Sequence, residues 1–261
     1  MIVDLSAANL VSIVAERTYN AIAHAWTLHG LEGGEAREGE AARDSTGDPH
    51  IVITGGRTGL AIAKELDLAI HRGIASNPAL SEKKVHIWFS DERFVESESE
   101  DRSDTPLMAG FSRAASRCIF HRVAFPSECT LDEAAARYAA ELDNYFADPA
   151  QDSAERPKFV ATILSMGEDG HIASLFPGDS RALNSSLSAL AVDNSPKPPA
   201  QRVSIGVARL AASSAIYIFA VGESKSEPLR ETIEGTNAGP ISMVRGKFAG
   251  NQFYLVTDIR L

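Results

Sequence analysis

Three short apolar runs in this chain each break into a polar turn carrying glycine or acid, and that repetition limits the fold more than any other feature. Ile51-Val52-Ile53 runs into Thr54-Gly55-Gly56-Arg57-Thr58-Gly59, and Val85-His86-Ile87-Trp88-Phe89 into Ser90-Asp91-Glu92-Arg93. Phe159-Val160-Ala161-Thr162-Ile163-Leu164 leads to Gly167-Glu168-Asp169-Gly170-His171. Short, mostly apolar runs bounded by turn signals predict buried strands. Polar groups gathered at strand ends predict a ligand site at the carboxyl edge of an open α/β sheet. Three such constellations are hard to explain as packing, so the chain reads as an enzyme.

The segments between these runs predict helices. Ser6 is placed to cap a first helix in which Val11, Val14, Ala15, Thr18, Ile22, Ala25 and Trp26 share a face, ending near Gly30. A second spans about 60–71 and closes at Gly73, and a short one covers 108–117. Thr130 caps another, with Leu131, Ala135, Tyr138, Ala139, Leu142 and Phe146 inward and a stop at Asp148-Pro149. Further strands are predicted at 202–205, 215–221 and 253–256, with a helix from Lys225 to about 234. Strands alternating with helices argue a mostly parallel sheet covered on both faces. The small, acidic stretch at about 31–49 reads as a solvated loop inside one domain covering 1–261.

Bulk properties exclude several function classes. The net charge of −10 argues against nucleic acid or an anionic membrane as a partner. An anionic small molecule would need a local basic pocket. No apolar stretch is long enough to span a bilayer, and the start of the chain lacks a signal-peptide pattern. Cys118 and Cys129 have no metal-ligand spacing and read as ordinary thiols in a reducing compartment. A cytoplasmic enzyme is the expectation.

The turn from Thr54 to Gly59 has the chemistry of an anion cradle. Glycines let backbone N–H groups approach an anion, the following helix N-terminus adds partial positive charge, and Thr58 offers a hydroxyl. It is neither the dinucleotide pattern nor the P-loop. Lys225, where a helix opens, opposes the helix dipole unless an anion sits nearby. Arg93 and Arg202 are further candidate cations, since the guanidinium fork suits phosphate. His171 stands out among seven histidines because it follows Gly170 and lies two residues after Asp169. A histidine near neutrality can act as general base on water, and a neighbouring carboxylate can orient it. No second ligand at metal spacing and no nucleophile elbow accompany it, so hydrolysis by activated water is the simplest chemistry.

These motifs together resemble the 6-phosphogluconolactonase family over about residues 50–253. Its Gly-Gly-x-Thr is matched by Gly55-Gly56-Arg57-Thr58 and its Asp-Glu-Arg by Asp91-Glu92-Arg93. Its Gly-x-Asp-Gly-His, followed by Ala-Ser-Leu-Phe-Pro, stands at 167–177 with Ile172 where Thr is usual. The Pro-Lys-Pro-Pro run is Pro196 to Pro199 ahead of Arg202, and the late Gly-x-x-Lys is Gly222 to Lys225. Arg57 and Gly59 depart from the usual Ser or Thr and Pro. The resemblance implies a three-layer α/β/α sandwich, Rossmann-like but without a dinucleotide, similar to glucosamine-6-phosphate deaminases. It further implies hydrolysis of 6-phosphoglucono-1,5-lactone in the oxidative pentose phosphate pathway, with His171 and Asp169 catalytic and no metal or cofactor. Gly55, Gly56, Arg57, Thr58, Asp91, Arg93, Gly170, Arg202 and Lys225 would bind substrate, in a monomer or weak homo-oligomer. A deaminase would carry an acid where Leu175-Phe176-Pro177 stands and tyrosine where Arg93 stands. A sugar-phosphate-sensing domain would keep the cradle and lose the base.

Overall fold

The computed structural model describes residues 2–4, 7–31, 47–146, 158–236 and 239–260. The expected loop at 31–49 and the cap at Ser6 therefore fall mostly or wholly outside the described residues. The chain opens with β1 (Ile2–Asp4), α1 (Ala7–Leu31), β2 (His50–Ile53), α2 (Gly56–Ser76) and β3 (Val85–Phe89). It continues through β4 (Asp91–Arg93), α3 (Asp104–Gly110), β5 (Cys118–His121), α4 (Leu131–Tyr145) and β6 (Ala161–Ser165). Next come α5 (Ser180–Leu183), β7 (Ala189–Val192), β8 (Arg202–Ile205), α6 (Val207–Ala211) and β9 (Ala215–Ala220). The last elements are α7 (Ser226–Glu234), α8 (Pro240–Lys247) and β10 (Gln252–Thr257).

Seven strands form one parallel sheet in the order β1-β10-β9-β6-β2-β3-β5. From β2 the chain builds outward through β3 and β5, then returns to place β6 on the other side of β2 and builds outward again through β9 and β10. The order reverses between β2 and β6. In open α/β sheets that reversal opens a crevice at the carboxyl ends of the two strands. Here those ends carry the Gly55-Gly56 turn and the turn leading to His171.

Burial explains why these runs are strands. Every residue of β2, β3 and β9 is buried, and each face of the sheet meets its own apolar cluster. One cluster joins Ile51, Ile53, Ile87 and Phe89 to Leu10, Val14, Ile22 and Trp26 of α1 and Ile62, Leu66 and Ile70 of α2. The other joins Val52, Trp88, Leu164 and Ile218 to Tyr138 and Leu142 of α4 and Val244 of α8. This is the expected α/β/α layering.

Helix α4 begins as its sequence predicts. The Thr130 side chain accepts from the Glu133 amide, and the Glu133 carboxylate accepts in return from the Thr130 amide, a capping box. Its buried Tyr138 hydroxyl both accepts from the Phe89 amide and donates to the Phe89 carbonyl, at 3.0 and 2.9 Å. That pair fixes the end of β3 just before the Ser90-Asp91 turn.

Three segments differ from expectation. Helix α2 does not close at Gly73 but runs through it to Ser76, and the glycine instead makes room for the Tyr19 side chain of α1. The helix predicted at 108–117 is instead α3, ending at Gly110, followed by a separate single turn at Ala115–Arg117. Between them the buried Asp67 of α2 accepts from the amides of Arg113 and Ala114, which draws the backbone out of helical register. The strand at Arg202–Ile205 does not join the parallel sheet. It is the centre of a three-stranded antiparallel sheet, β4-β8-β7, whose short β4 and β7 carry no clear sequence signal.

Candidate active site

A cleft of about 420 Å³ opens at the reversal point. Gly55 and Gly56 line it from the start of α2, Asp91 and Arg93 from β4, and His171 from the turn after β6. Arg202 of β8 and Lys225, the residue before α7, complete the expected set on its walls. Arg57, Thr58, Asp169 and Gly170 are not on the walls themselves. Asp169 contacts His171 from behind, and Arg57 lies close enough to Lys225 to repel its charge.

The candidate base, His171, is positioned by its turn. Gly170 has φ of +81°, a conformation glycine adopts without strain, and the Gly167 amide donates to the His171 carbonyl at 2.8 Å. A Cβ at Gly167 would run into the His171 ring, so the ring needs a glycine beneath it. Nδ1 of His171 is bonded to Oδ1 of Asp169. That bond places the Nδ1 proton toward Asp169 and leaves the lone pair on Nε2. Burial works against ionisation of Asp169, but the bond to His171 and the nearby charge of Lys197 outweigh it and hold the carboxyl below its usual range. A carboxylate kept ionised against the ring is the arrangement a general base requires.

The floor of the cleft is suited to an anion. Gly55 is the residue before α2, a helix of 21 residues with no acid in its first turn, so its leading N–H groups face the cleft unneutralised. A Cβ on Gly55 would sit 2.6 Å from Ser103 Oγ, so close approach of the two loops requires glycine here. Desolvation lowers the Lys225 pKa, as do the positive charges of Arg57 and Lys197, while Glu168 and Asp258 oppose the shift.

The arginines are less free than the sequence suggests. Arg93 donates through Nη1 to the Asp101 carbonyl at 2.6 Å. Arg202 spends Nε on the Pro199 carbonyl at 3.1 Å and Nη2 on the Lys197 carbonyl at 2.8 Å, clamping the proline run. Burial depresses its pKa. Asp91 is also engaged: Ser90 Oγ donates to Oδ1 at 2.8 Å and Ser174 Oγ to Oδ2 at 2.6 Å. Asp91 thus ties the β3–β4 turn to the His171 turn, and Ser174 serves it as a donor.

Lys197, in the proline run, is a site cation that the motifs alone do not single out. Its Nζ lies 3.7 Å from Asp169 Oδ1 and it lines the cleft. A lone cation in a proline-stiffened loop was the available signal. Ser103, Ser165 and Glu168 also line the walls; Ser165 and Glu168 lie beside and within the acid–histidine turn, whereas nothing local marks Ser103.

Three histidines with unremarkable sequence contexts form a buried group. Among the described residues, His50, His86 and His121 offer three possible metal-ligand atoms within 4.8 Å of one another. Their geometry is that of a hydrogen-bonded chain. His86 Nδ1 and His121 Nε2 are 2.8 Å apart, with ring centroids 5.1 Å apart and planes only 16° apart, so the two nitrogens face each other in line. His121 Nδ1 bonds Glu141 at 2.6 Å, and Trp88 Nε1 donates to His50 Nδ1 at 3.0 Å. Zinc would need its nitrogens about 2.0–2.1 Å from one shared point, which the in-line pair cannot provide without moving apart. A larger cavity of about 630 Å³ lies at the amino ends of β6, β9 and β10, lined by residues including Arg17, His24, Tyr217 and Tyr254, and among the described residues it has no comparable acid–histidine pair.

Comparison with known proteins agrees with this fold. The family model described as glucosamine-6-phosphate isomerases/6-phosphogluconolactonase matches residues 30–253. A Mycobacterium tuberculosis protein named 6-phosphogluconolactonase is 30% identical over 227 residues, covering 81% of this chain and 83% of that protein. Solved structures of 6-phosphogluconolactonases from Thermotoga maritima and Trypanosoma cruzi superpose with TM-scores of 0.65 and 0.73. The first, 22% identical, covers 98% of both chains; the second, 17% identical, covers 98% of this chain and 93% of its own. At those identities the two structures speak for the fold alone. With the family model spanning most of its length, the chain belongs to the glucosamine-6-phosphate isomerase/6-phosphogluconolactonase family.

Proposed function

We propose that this protein hydrolyses 6-phospho-D-glucono-1,5-lactone to 6-phospho-D-gluconate, as a lactonase of the oxidative pentose phosphate pathway. The observation that carries the reading is the Asp169–His171 pair on the rim of a cleft whose floor is a helix N-terminus and whose walls bear Arg93, Lys197 and Lys225. The C6 phosphate sits against the Gly55-Gly56 backbone, with Thr58 and Arg57 at the same helix start and charge from Arg93 and Lys225. Arg202 contributes charge and holds the Lys197 loop.

His171 Nε2 takes a proton from a water as its oxygen attacks C1 of the lactone. The carbonyl becomes a tetrahedral oxyanion, stabilised by an arginine or by backbone N–H donors. Collapse restores the carbonyl and breaks the bond from C1 to the ring oxygen. The protonated His171 returns its proton to that departing oxygen, leaving acid and free hydroxyl. Asp169 holds the ring and stabilises its charged form. A δ-lactone is an activated ester, so positioning, a base and charge stabilisation suffice without metal, nucleotide or covalent intermediate.

The test supplies fresh 6-phosphogluconolactone and follows acid release, with spontaneous hydrolysis subtracted, beside ammonia release from glucosamine 6-phosphate. Enzymatic acid release without ammonia is expected. Ammonia release without lactone hydrolysis would replace this reading with a deaminase. The reading carries with it a cytoplasmic setting and a monomer or weak homo-oligomer, checked by fractionation and by sizing in solution.

A further inference from the structure

Behind the cleft lies a carboxylate that the mechanism above does not use. Glu92 is fully buried, and its two oxygens accept from three backbone amides. Oε1 takes the Arg93 amide at 2.8 Å and the Ser103 amide at 2.9 Å. Oε2 takes the Ser103 amide at 3.1 Å and the Asp104 amide at 2.7 Å. The first amide belongs to Arg93, which lines the cleft. The second belongs to the residue that abuts Gly55. Arg93 also reaches the Asp101 carbonyl in the same loop, so strand β4 and the loop of residues 96–103 are joined at both ends of this contact.

We propose that Glu92 is a positioning residue: its ionised carboxylate holds Arg93 and Ser103 in the places that shape the phosphate side of the cleft, and its protonation releases them. The proposal rests on the lactonase reading and deepens it. The chemistry is one of counting. An ionised carboxylate accepts only, and here every partner is a donor. A protonated carboxyl must direct its O–H at an acceptor, and three amide N–H groups offer none. Protonation therefore breaks at least one of these bonds.

The surroundings set where that happens. Burial, and then the negative charge of Asp104, push the Glu92 pKa up to about 7, against the Ser103 and Asp104 amides and the Arg102 guanidinium. Arg102 is itself buried and paired with Asp104 at 2.6 Å, and Asp104 also binds Arg122 at 2.9 Å. The field at Glu92 further includes Arg122, Arg202 and the buried Tyr138 hydroxyl. Glu92 thus changes charge near neutrality, whereas Asp104, held below the usual carboxylate range by Arg102 and Arg122 against its own burial, stays ionised there.

The experiment compares wild type with Glu92→Gln from pH 5.5 to 8, measuring kcat and KM on the phosphorylated lactone and on unphosphorylated gluconolactone. The substrate phosphate also titrates, near pH 6, but does so equally for both proteins. At pH 8 the variant is expected to show KM for the phosphorylated lactone raised about tenfold, the scale of one lost hydrogen bond to a charged group. Its kcat stays within about threefold, since the interaction is made in ground and transition states alike. As pH falls through 7, wild-type KM should climb toward the variant's, closing the gap. Identical KM–pH profiles in the two proteins, or a loss confined to kcat, would overturn the proposal. A wild type inactive on the lactone would instead defeat the lactonase reading, and the same comparison would then be made with inorganic phosphate binding. Should Glu92→Gln not fold, amide exchange of Ser103 and Asp104 in wild type decides. Protection corrected for intrinsic rate should fall between pH 8 and 6, and unchanged protection would contradict the proposal.

Discussion

Arg93 on β4 and Arg202 on β8 are direct cross-strand partners in the antiparallel sheet, and both line the cleft. Like charges placed opposite each other destabilise a sheet, and Arg93 contributes to the lowered pKa of Arg202. Asp91 offsets part of that cost, and an anion in the cleft would offset more. The two arginines then divide the work, because Arg202 has committed donors to the carbonyls of Lys197 and Pro199. Arg202→Lys should therefore lower both thermal stability and affinity, since an ammonium cannot reproduce the forked contacts. Melting and substrate-saturation curves on one preparation check this. Unchanged stability would mean that the clamp is unimportant.

Lys225 should matter chiefly for the phosphate. Removing a charged partner of a bound phosphate costs roughly 1.5–3 kcal/mol of binding. Lys225→Ala is expected to weaken kcat/KM on the phosphorylated lactone by that amount and to leave unphosphorylated gluconolactone nearly unaffected. Equal losses on both substrates would remove Lys225 from the phosphate site.

Close approach of two loops explains Gly55. With φ of −73°, this residue gains nothing from glycine's backbone freedom, and the constraint is the space occupied by Ser103. Gly55→Ala should destabilise by about 1–3 kcal/mol, the usual range for overpacking. It should also raise KM. Adding Ser103→Gly should restore much of the stability, as read from denaturant unfolding. No recovery in the double variant would show that the clash is not the cause.

The pH dependence of Asp169 has a definite sign. Its folded pKa is depressed, so its contribution to stability is present above the ordinary aspartate value of 3.8 and lost as pH falls through the lower folded value. Asp169→Asn should melt below wild type at pH 6–8, and the gap should close under strong acid. Turnover by the variant should fall, but no further than on removing His171. A melting gap independent of pH would contradict the assigned contacts of the ionised carboxylate with His171 and Lys197.

Much of this was readable from the chain because local rules governed it. The capping box at Thr130 and Glu133 and the apolar runs ending at Ile53, Phe89 and Leu164 needed only neighbouring residues. So did the glycine-broken turns, which is why the reversal point between β2 and β6 carries the residues singled out for chemistry. What was missed depends on partners distant in sequence. The antiparallel sheet pairs Arg93 with Arg202 across more than a hundred residues, and nothing in either short strand declares its orientation. The Arg202 clamp depends on where the proline run turns its carbonyls. His50, His86 and His121 look ordinary until three strands bring them onto one face of the sheet. The break between α3 and the turn at Ala115–Arg117 is set by Asp67, far back on α2.

The central claim is that His171 is the base for water attack on the lactone, and one measurement bears on it directly. His171→Ala is assayed for acid release from fresh 6-phosphogluconolactone, with spontaneous hydrolysis subtracted and folding confirmed by its melting curve. Loss of a general base lowers rate by about 10²–10⁴-fold, so turnover should fall within that range while KM changes little. Wild-type activity should survive a chelator. Near-wild-type turnover by the variant, or wild-type activity abolished by the chelator, would contradict the mechanism.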